Sequence, residues 1–142
     1  MQIRPMEEKD RTTLRLLYLH TRQESWPWFR QQPLSVDDFD AATRDECIWV
    51  ADDKGELAGF AALWRPDNFL HHLFVAPSWQ GRGVGHALLT HVQAQFTTTG
   101  ALKCLAENQH ALAFYLRHGW EKIQRDTGPE GEYWLMHWPL PE

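Results

Sequence analysis

Apolar residues recur along the chain at two different spacings, which predicts a mixture of helices and strands. Three- to four-residue spacing predicts helices over 7–22 and 83–96, with shorter helices over 36–43 and 110–117. Short apolar or alternating runs predict strands over 2–5, 46–51, 56–64, 68–75, 101–106, 120–126 and 132–138. Antiparallel strands therefore precede a β–α–β–α–β run. This order predicts an α+β fold with a mixed sheet of about seven strands, flanked by about four helices.

Length and composition restrict the class of protein. The 142 residues show no internal repeat or linker, so we expect a single domain over 1–142. A net charge of -5 argues against nucleic acid as a partner, because phosphate binding requires a basic surface. No apolar run approaches the ~20 residues of a membrane span, and the first residues lack a signal-peptide pattern. We therefore expect a cytoplasmic protein without a membrane partner.

The chain has only two cysteines, Cys47 and Cys104, and each lies in an apolar run. Their separation does not match the paired spacing of a zinc site. We therefore expect two buried thiols and no metal cofactor.

The most informative segment is a glycine-rich stretch between a predicted strand and a predicted helix. It reads Gln80-Gly81-Arg82-Gly83-Val84-Gly85 and is followed by His86 and Ala87. Glycines let the backbone approach a ligand closely, and the free N–H groups at a helix start bind anions such as phosphate. The stretch lacks both the Lys-Ser/Thr pair of a P-loop and the glycine spacing of a dinucleotide-binding loop. We therefore expect the stretch to bind the pyrophosphate of a ligand that neither of these two loops recognises.

The glycine stretch resembles the acyl-CoA pyrophosphate loop of the GCN5-related N-acetyltransferase (GNAT) superfamily. The pattern of that family is Arg or Gln, two residues, Gly, one residue, then Gly or Ala, and the preceding Val75-x-Pro77 also fits. A second segment, residues 108–120, resembles the second conserved block of the family, with Asn, Ala, Phe-Tyr and Gly-Trp at matching spacing. The order of predicted elements agrees with the family along the whole chain.

The resemblance implies an acyltransferase acting on amino groups, with acetyl-CoA as co-substrate in a cleft between two splayed central strands. One splayed strand would carry Leu73, Phe74 and Val75, and the other would be the strand over 102–106. The cofactor-binding residues that the resemblance implies are Leu73, Phe74, Val75, Gln80, Gly81, Arg82, Gly83, Val84, Gly85, His86, Asn108, Phe114 and Tyr115.

Acetyl transfer to an amine needs one group that takes a proton from nitrogen and another that stabilises or protonates the departing thiolate. Tyr115 matches the tyrosine that faces the CoA sulfur in the family, and the resemblance assigns it as general acid. His71 and His72 lie on the strand that leads to the glycine stretch, and strand alternation places them on opposite faces. We favour His71 over His72 as the base and assign His72 to substrate binding, with His72 and water as the alternative bases.

The acceptor side is expected near Trp26, Trp28 and Phe29, which precede an acidic stretch over 37–46. Aromatic rings and carboxylates would suit a cationic amine, although the same pattern also fits an exposed acidic helix beside a core loop. The expected partners are acetyl-CoA and a primary amine of a small molecule or peptide, with a homodimer as one arrangement. The alternative function is a sensor module that binds acyl-CoA without catalysis.

Overall fold

The computed structural model describes residues 1–25 and 35–139. Its helices are α1 (Arg11–Ser25), α2 (Asp38–Ala42), α3 (Val84–Gln93) and α4 (Gln109–Arg117). Its strands are β1 (Gln2–Pro5), β2 (Cys47–Asp53), β3 (Glu56–Trp64), β4 (Phe69–Val75), β5 (Gly100–Leu105), β6 (Glu121–Gly128) and β7 (Gly131–Trp138). The order of helices and strands predicted from apolar spacing is confirmed, and the ends differ by a few residues.

The seven strands of the described residues form one mixed sheet in the order β1-β2-β3-β4-β5-β7-β6. Neighbouring strands run antiparallel except β4 and β5, which run parallel. A parallel pair needs a crossover connection, and α3 lies in the segment that supplies it. The predicted α+β fold with a mixed sheet is therefore confirmed.

The parallel pair β4–β5 is joined at its beginning and open at its end. Its residue pairing is limited to Phe69 with Ala101, next to a 3.0 Å hydrogen bond from the Ala101 N–H to the Asn68 carbonyl. Every other neighbouring pair in the described sheet is matched over at least four positions. A gap therefore opens between β4 and β5 as they approach Val75 and Leu105.

The sheet separates two apolar cores. On one face, Leu88 of α3 packs in a cluster with Leu70 and Leu102 of the sheet, and α4 adds partly buried residues. On the other face, Leu14 of α1 packs in a cluster with Phe60 of the sheet and with residues of α2 and β2. The strands around the gap are thereby held by α3 and α4 on one side and by α1 and α2 on the other.

The two cysteines differ in environment. Cys104 is buried, as predicted, whereas the expectation of a buried thiol is wrong for Cys47, which is only half buried. The Cys47 sulfur accepts a 3.0 Å hydrogen bond from Nε of Arg65, a residue that follows the end of β3 at the surface.

None of the helices within the described ranges has the length and hydropathy to cross a membrane.

Strand β4 contains a bulge at His71. Ala62 of β3 is paired with His72 and the next residue, Leu63, with Leu70, so His71 is the extra residue on β4. A bulge interrupts the two-residue alternation of side chains. The ring centroids of His71 and His72 accordingly lie 4.0 Å apart. The prediction that these histidines face opposite sides of the sheet is wrong, because alternation requires an uninterrupted ladder.

Candidate active site

A groove of about 550 Å³ lies beside the open end of β4. Its walls come from three segments: the last residues of β4, the glycine stretch with the start of α3, and one side of α4. The lining residues are Leu73, Phe74, Val75, Trp79, Gln80, Gly81, Gly83, Val84, Gly85, His86, Asn108, His110, Ala111, Phe114, Tyr115 and Arg117.

The glycine stretch forms one end of the groove. Gly81 and Gly83 have φ angles of +79° and +84°, a left-handed conformation that favours glycine. A Cβ atom built at either position would meet no atom within 4 Å, so open space lies over this backbone. The first hydrogen bond of α3 runs from the Ala87 N–H to the Gly83 carbonyl at 3.0 Å. The N–H groups of residues 84–86 therefore have no acceptor within the helix and can bind an anion.

Helix α4 forms the opposite wall. The Oδ1 atom of Asn108 accepts a 3.2 Å hydrogen bond from the Ala111 N–H, so Asn108 caps the helix, and Asn108 also lines the groove. Tyr115 lies near the other end of the helix and also lines the groove. Burial, with the Cys104 thiol nearby, raises the pKa of Tyr115 above its ordinary value, so the phenol stays neutral.

A hydrogen-bonded pair of histidines ties α4 to the start of α3. Nδ1 of His118 lies 2.7 Å from the Phe114 carbonyl, which can only accept, so this nitrogen donates. Nε2 of His118 then faces Nδ1 of His86 at 2.7 Å. In addition, a Cβ at Gly85 would lie 3.4 Å from the Phe114 ring. These contacts therefore connect the two walls of the groove to each other.

A second group of polar side chains lies where the β4 bulge brings His71 and His72 together. Nδ1 of His71 lies 2.7 Å from Oε2 of Glu46, the residue before β2. The Glu46 side chain is only 6% exposed, whereas the His71 side chain is 45% exposed. Neither histidine is part of the groove lining, but His71 precedes the lining residue Leu73 by two positions on the same strand.

His72 is buried against Tyr18 of α1 and Phe74 of β4. Burial, and secondarily the neighbouring His71, lowers the pKa of His72 from 6.5 to about 3. A hydrogen bond to the Ala42 backbone holds one side of the ring, and the buried Nε2 has no hydrogen-bond partner. His72 is therefore neutral near pH 7 and is a weaker base than an ordinary histidine.

The sequence and structure of this chain match known acetyltransferases. A family model described as the acetyltransferase (GNAT) family matches residues 13–120. The chain belongs to this family. The peptidyl-lysine N-acetyltransferase YiaC of Escherichia coli (strain K12) is 33% identical over 94 residues, which are 65% of this GNAT chain and 63% of that protein. The chain thus matches just under two thirds of the length of that relative.

Solved structures share the fold of this GNAT protein. The ribosomal-protein-alanine N-acetyltransferase of Brucella melitensis has a TM-score of 0.77 at 18% identity, over 99% of this chain and 100% of that one. The yncA protein of Salmonella typhimurium, solved with its cofactor acetyl-CoA, has a TM-score of 0.76 at 17% identity, over 100% and 95% of the two chains. The family predicted from the sequence is therefore confirmed.

Of the thirteen residues predicted to bind acetyl-CoA, all but Arg82 line the groove of this GNAT protein. The guanidinium of Arg82 instead lies 5.0 Å from the ring centre of Trp79 at the surface. The sequence analysis missed four lining residues, Trp79, His110, Ala111 and Arg117. Helical spacing could have found three of them, because His110 and Arg117 flank Phe114 on one side of α4 while Ala111 lies between Asn108 and Tyr115.

The acidic stretch is largely occupied by ion pairs. Asp40 of α2 contacts Arg11 and Arg15 of α1 at 2.9 and 2.8 Å, and Asp38 contacts Arg22 at 3.2 Å. These carboxylates join α2 to α1 and are not free to hold a cationic substrate. The predicted substrate-binding residues Trp26, Trp28 and Phe29 lie outside the described residues.

Within residues 1–25 and 35–139, Glu46, His71 and His72 form a group with one metal-binding atom each, all within 4.8 Å of one another. The 2.7 Å contact between Glu46 and His71 has the length of a hydrogen bond and is shorter than the spacing of about 3.3 Å between ligands of a tetrahedral zinc ion. The geometry therefore favours a hydrogen-bonded pair at this position.

Proposed function

We propose that this protein transfers the acetyl group of acetyl-CoA to a primary amine, by direct attack of the amine nitrogen on the thioester carbonyl. The groove carries this proposal, because it joins a helix start with free N–H groups to the hydroxyl of Tyr115. Such a sequence of groups suits a ligand with a pyrophosphate at one end, a neutral arm and a thioester at the other.

The residues of the groove fit the successive parts of acetyl-CoA. The N–H groups of residues 84–86 would bind the pyrophosphate, and Arg117 on the groove wall adds a positive charge. The pantetheine arm would follow Leu73–Val75, where the β5 side of β4 is unpaired and its backbone groups can form hydrogen bonds. Asn108 uses Oδ1 to cap α4, so its NH₂ group remains to donate to the arm.

A primary amine is the acceptor class that the relatives favour. The similar YiaC protein is named for acetylating peptidyl lysine, and the Brucella melitensis protein for acetylating an alanine of a ribosomal protein. A lysine side chain and an α-amino group are both primary amines, although their surroundings differ. The proposal for this chain is therefore the shared chemical group, carried by a peptide or a small molecule.

We assign the proton transfers to His71 and Tyr115. The amine must lose a proton to attack, and His71 is exposed on the strand that leads to the groove, whereas His72 is buried with a low pKa. Attack by the amine nitrogen forms the C–N bond, and the C–S bond then breaks. Tyr115 donates its hydroxyl hydrogen to the departing sulfur as general acid. The proton from nitrogen is taken up by His71, and water is the alternative acceptor.

The test is a measurement of thiol release from acetyl-CoA with a panel of lysine peptides, peptides with free α-amino groups, polyamines and amino acids. Release that depends on one class of amine, with an acetylated product of matching mass, would support the proposal. Binding of acetyl-CoA without release for any acceptor would favour the sensor module instead, and absence of binding would contradict both functions. Cytoplasmic location, a homodimer and the absence of a metal stay predictions from the sequence.

A further inference from the structure

We propose that Glu46 is a positioning residue, which orients His71 so that Nε2 of its ring can take the proton from the acceptor amine. This inference rests on the proposed function, because it names the residue that would prepare the base for that reaction. Glu46 is 25 residues away from His71 in the sequence and does not belong to either family motif described above.

The fold brings Glu46 to His71 across an intervening strand. Glu46 precedes β2 and His71 lies on β4, so their side chains meet over β3, which separates the two strands. Ala62 of β3 is the residue between them, paired with Ile48 on one side and His72 on the other. The small side chain of Ala62 leaves room above β3. The bulge turns His71 to the same face as His72, so that its ring can reach the carboxylate.

The contact fixes which nitrogen of His71 carries hydrogen in the neutral ring. An ionised carboxylate only accepts hydrogen bonds, so Nδ1 of His71 must donate to Oε2 of Glu46 across the 2.7 Å distance. Nε2 is then the nitrogen with a free lone pair. A base held in one tautomer by a buried carboxylate follows the general arrangement of base and orienting group in enzymes that activate nucleophiles.

The burial of Glu46 is unfavourable for stability, which argues for a role in activity. The side chain is 6% exposed, and its Oε1 atom is buried with no hydrogen-bond partner. A buried carboxylate with an unsatisfied oxygen destabilises a fold relative to a neutral side chain of similar shape. A purely structural residue at this position would not need the charge. His71 is the partner that benefits from it, because protonation of His71 during the reaction would produce a close ion pair.

Glu46→Gln tests the proposal, because it keeps the shape of the side chain and removes its charge. We expect kcat to fall about 10- to 100-fold, the Kd of acetyl-CoA to stay within about twofold and the melting temperature to stay equal or rise. Asp45→Asn is the matched control. It removes the same charge one residue away, and Asn tolerates the φ of +62° at this exposed position. Parental kcat in Glu46→Gln would overturn the proposal, as would an equal fall in both variants.

The tautomer itself can be observed without activity, by imidazole ¹⁵N NMR of histidine-labelled protein assigned with His71→Ala. We expect the neutral His71 ring of the parent to carry hydrogen on Nδ1, and this preference to weaken in Glu46→Gln. An Nε2-protonated ring in the parent would overturn the proposal even if acetyl transfer is confirmed. If the parent transfers no acetyl group, the proposed function fails while this measurement still decides whether Glu46 orients His71.

A double-mutant cycle separates positioning from an independent effect. If Glu46 acts through His71, Glu46→Gln should lower kcat little further in a protein that already carries His71→Ala. Losses that multiply in the double variant would show that Glu46 acts elsewhere and would overturn the proposal. All assays should contain a chelator, so that a trace metal bound near Glu46, His71 and His72 does not alter the rates.

Discussion

Burial shifts the pKa of Tyr115 and the pKa of His72 in opposite directions, and both shifts favour the neutral form. An acid loses its charged form on burial by keeping its proton, and a base loses its charged form by releasing one. Burial raises the pKa of Tyr115, raises the pKa of the adjacent Cys104 to about 11 and lowers the pKa of His72 to about 3. All three groups are therefore neutral at pH 7. Tyr115 is therefore a protonated phenol beside the groove and can donate a hydrogen in every turnover.

Tyr115→Phe removes only the hydroxyl and keeps the ring. We expect kcat to fall about 10- to 1000-fold with little change in the Kd of acetyl-CoA, measured by stopped-flow thiol release and by calorimetry. Because a thiolate is a weaker base than this phenolate, we expect the general acid to act mainly by sharing its hydrogen with the sulfur as the C–S bond breaks. A variant with parental kcat, on an acceptor for which chemistry limits the rate, would show that the thiolate leaves unaided.

His72 should make stability depend on pH. The unfolded chain binds a proton at His72 below its ordinary pKa of 6.5, whereas the folded protein does so only near pH 3. The contribution of His72 to the free energy of unfolding is therefore fully present above pH 6.5. It falls as the pH drops towards 3, by about 1.4 kcal/mol per pH unit within that window.

His72→Asn provides the comparison, since its amide can still donate to the Ala42 backbone but does not titrate in this range. Urea unfolding of both proteins from pH 7 to pH 4.5 should give a steeper loss of stability for the parent. Equal slopes would mean that His72 has the same proton affinity in the folded and unfolded chains.

At the scale of single elements, apolar spacing predicted the order of helices and strands but not a break in a strand. The sequence places His71 and His72 in a continuous run of strand-forming residues, with no glycine or proline to mark a bulge. The bulge arises from the register of β4 against β3, which depends on residues distant in the chain. The contact of Glu46 with His71 was missed for the same reason. The groove was predictable because its residues belong to two local motifs.

The glycine loop at the start of α3 permits a test in which charge alone changes. Gly83→Asp and Gly83→Asn add side chains of equal size at a position with a φ of +84°, so both carry the same backbone strain. Only Asp places a negative charge over the N–H groups proposed to bind pyrophosphate. We expect acetyl-CoA to bind at least about tenfold more weakly to Gly83→Asp than to Gly83→Asn, measured by calorimetry. Equal affinities would place the pyrophosphate elsewhere.

At the scale of the whole molecule, the gap between β4 and β5 leaves the two parts of the sheet weakly connected. The four strands β1 to β4 and the three strands β5 to β7 share little backbone pairing across this line. The apolar cluster that contains Leu88, Leu70 and Leu102 also connects the two parts. A ligand in the groove would therefore contact both α3 and α4 and tie the two parts together.

Acetyl-CoA should consequently stabilise the protein and also slow the local opening of the gap. At 100 times its Kd, a ligand adds about 2.7 kcal/mol, which is roughly 5–10 °C in melting temperature for a chain of this size. Hydrogen exchange should slow most at residues 73–75 and 102–104, relative to the β2–β3 hairpin. Protection confined to other elements would argue against binding between these strands, and Gly83→Asp should lose the protection.

The bulge at His71 is a single extra residue that the ladder of β4 does not need. Deletion of His71 would leave Leu70 opposite Leu63 and His72 opposite Ala62, so every later residue of β4 would keep its partner and its face. Leu73 and Val75 would stay in the groove, and Phe74 would stay in its core. The loss would be confined to the side chain that contacts Glu46. Evolution could therefore gain or lose this proposed base by an insertion or deletion of one residue, with the groove unchanged.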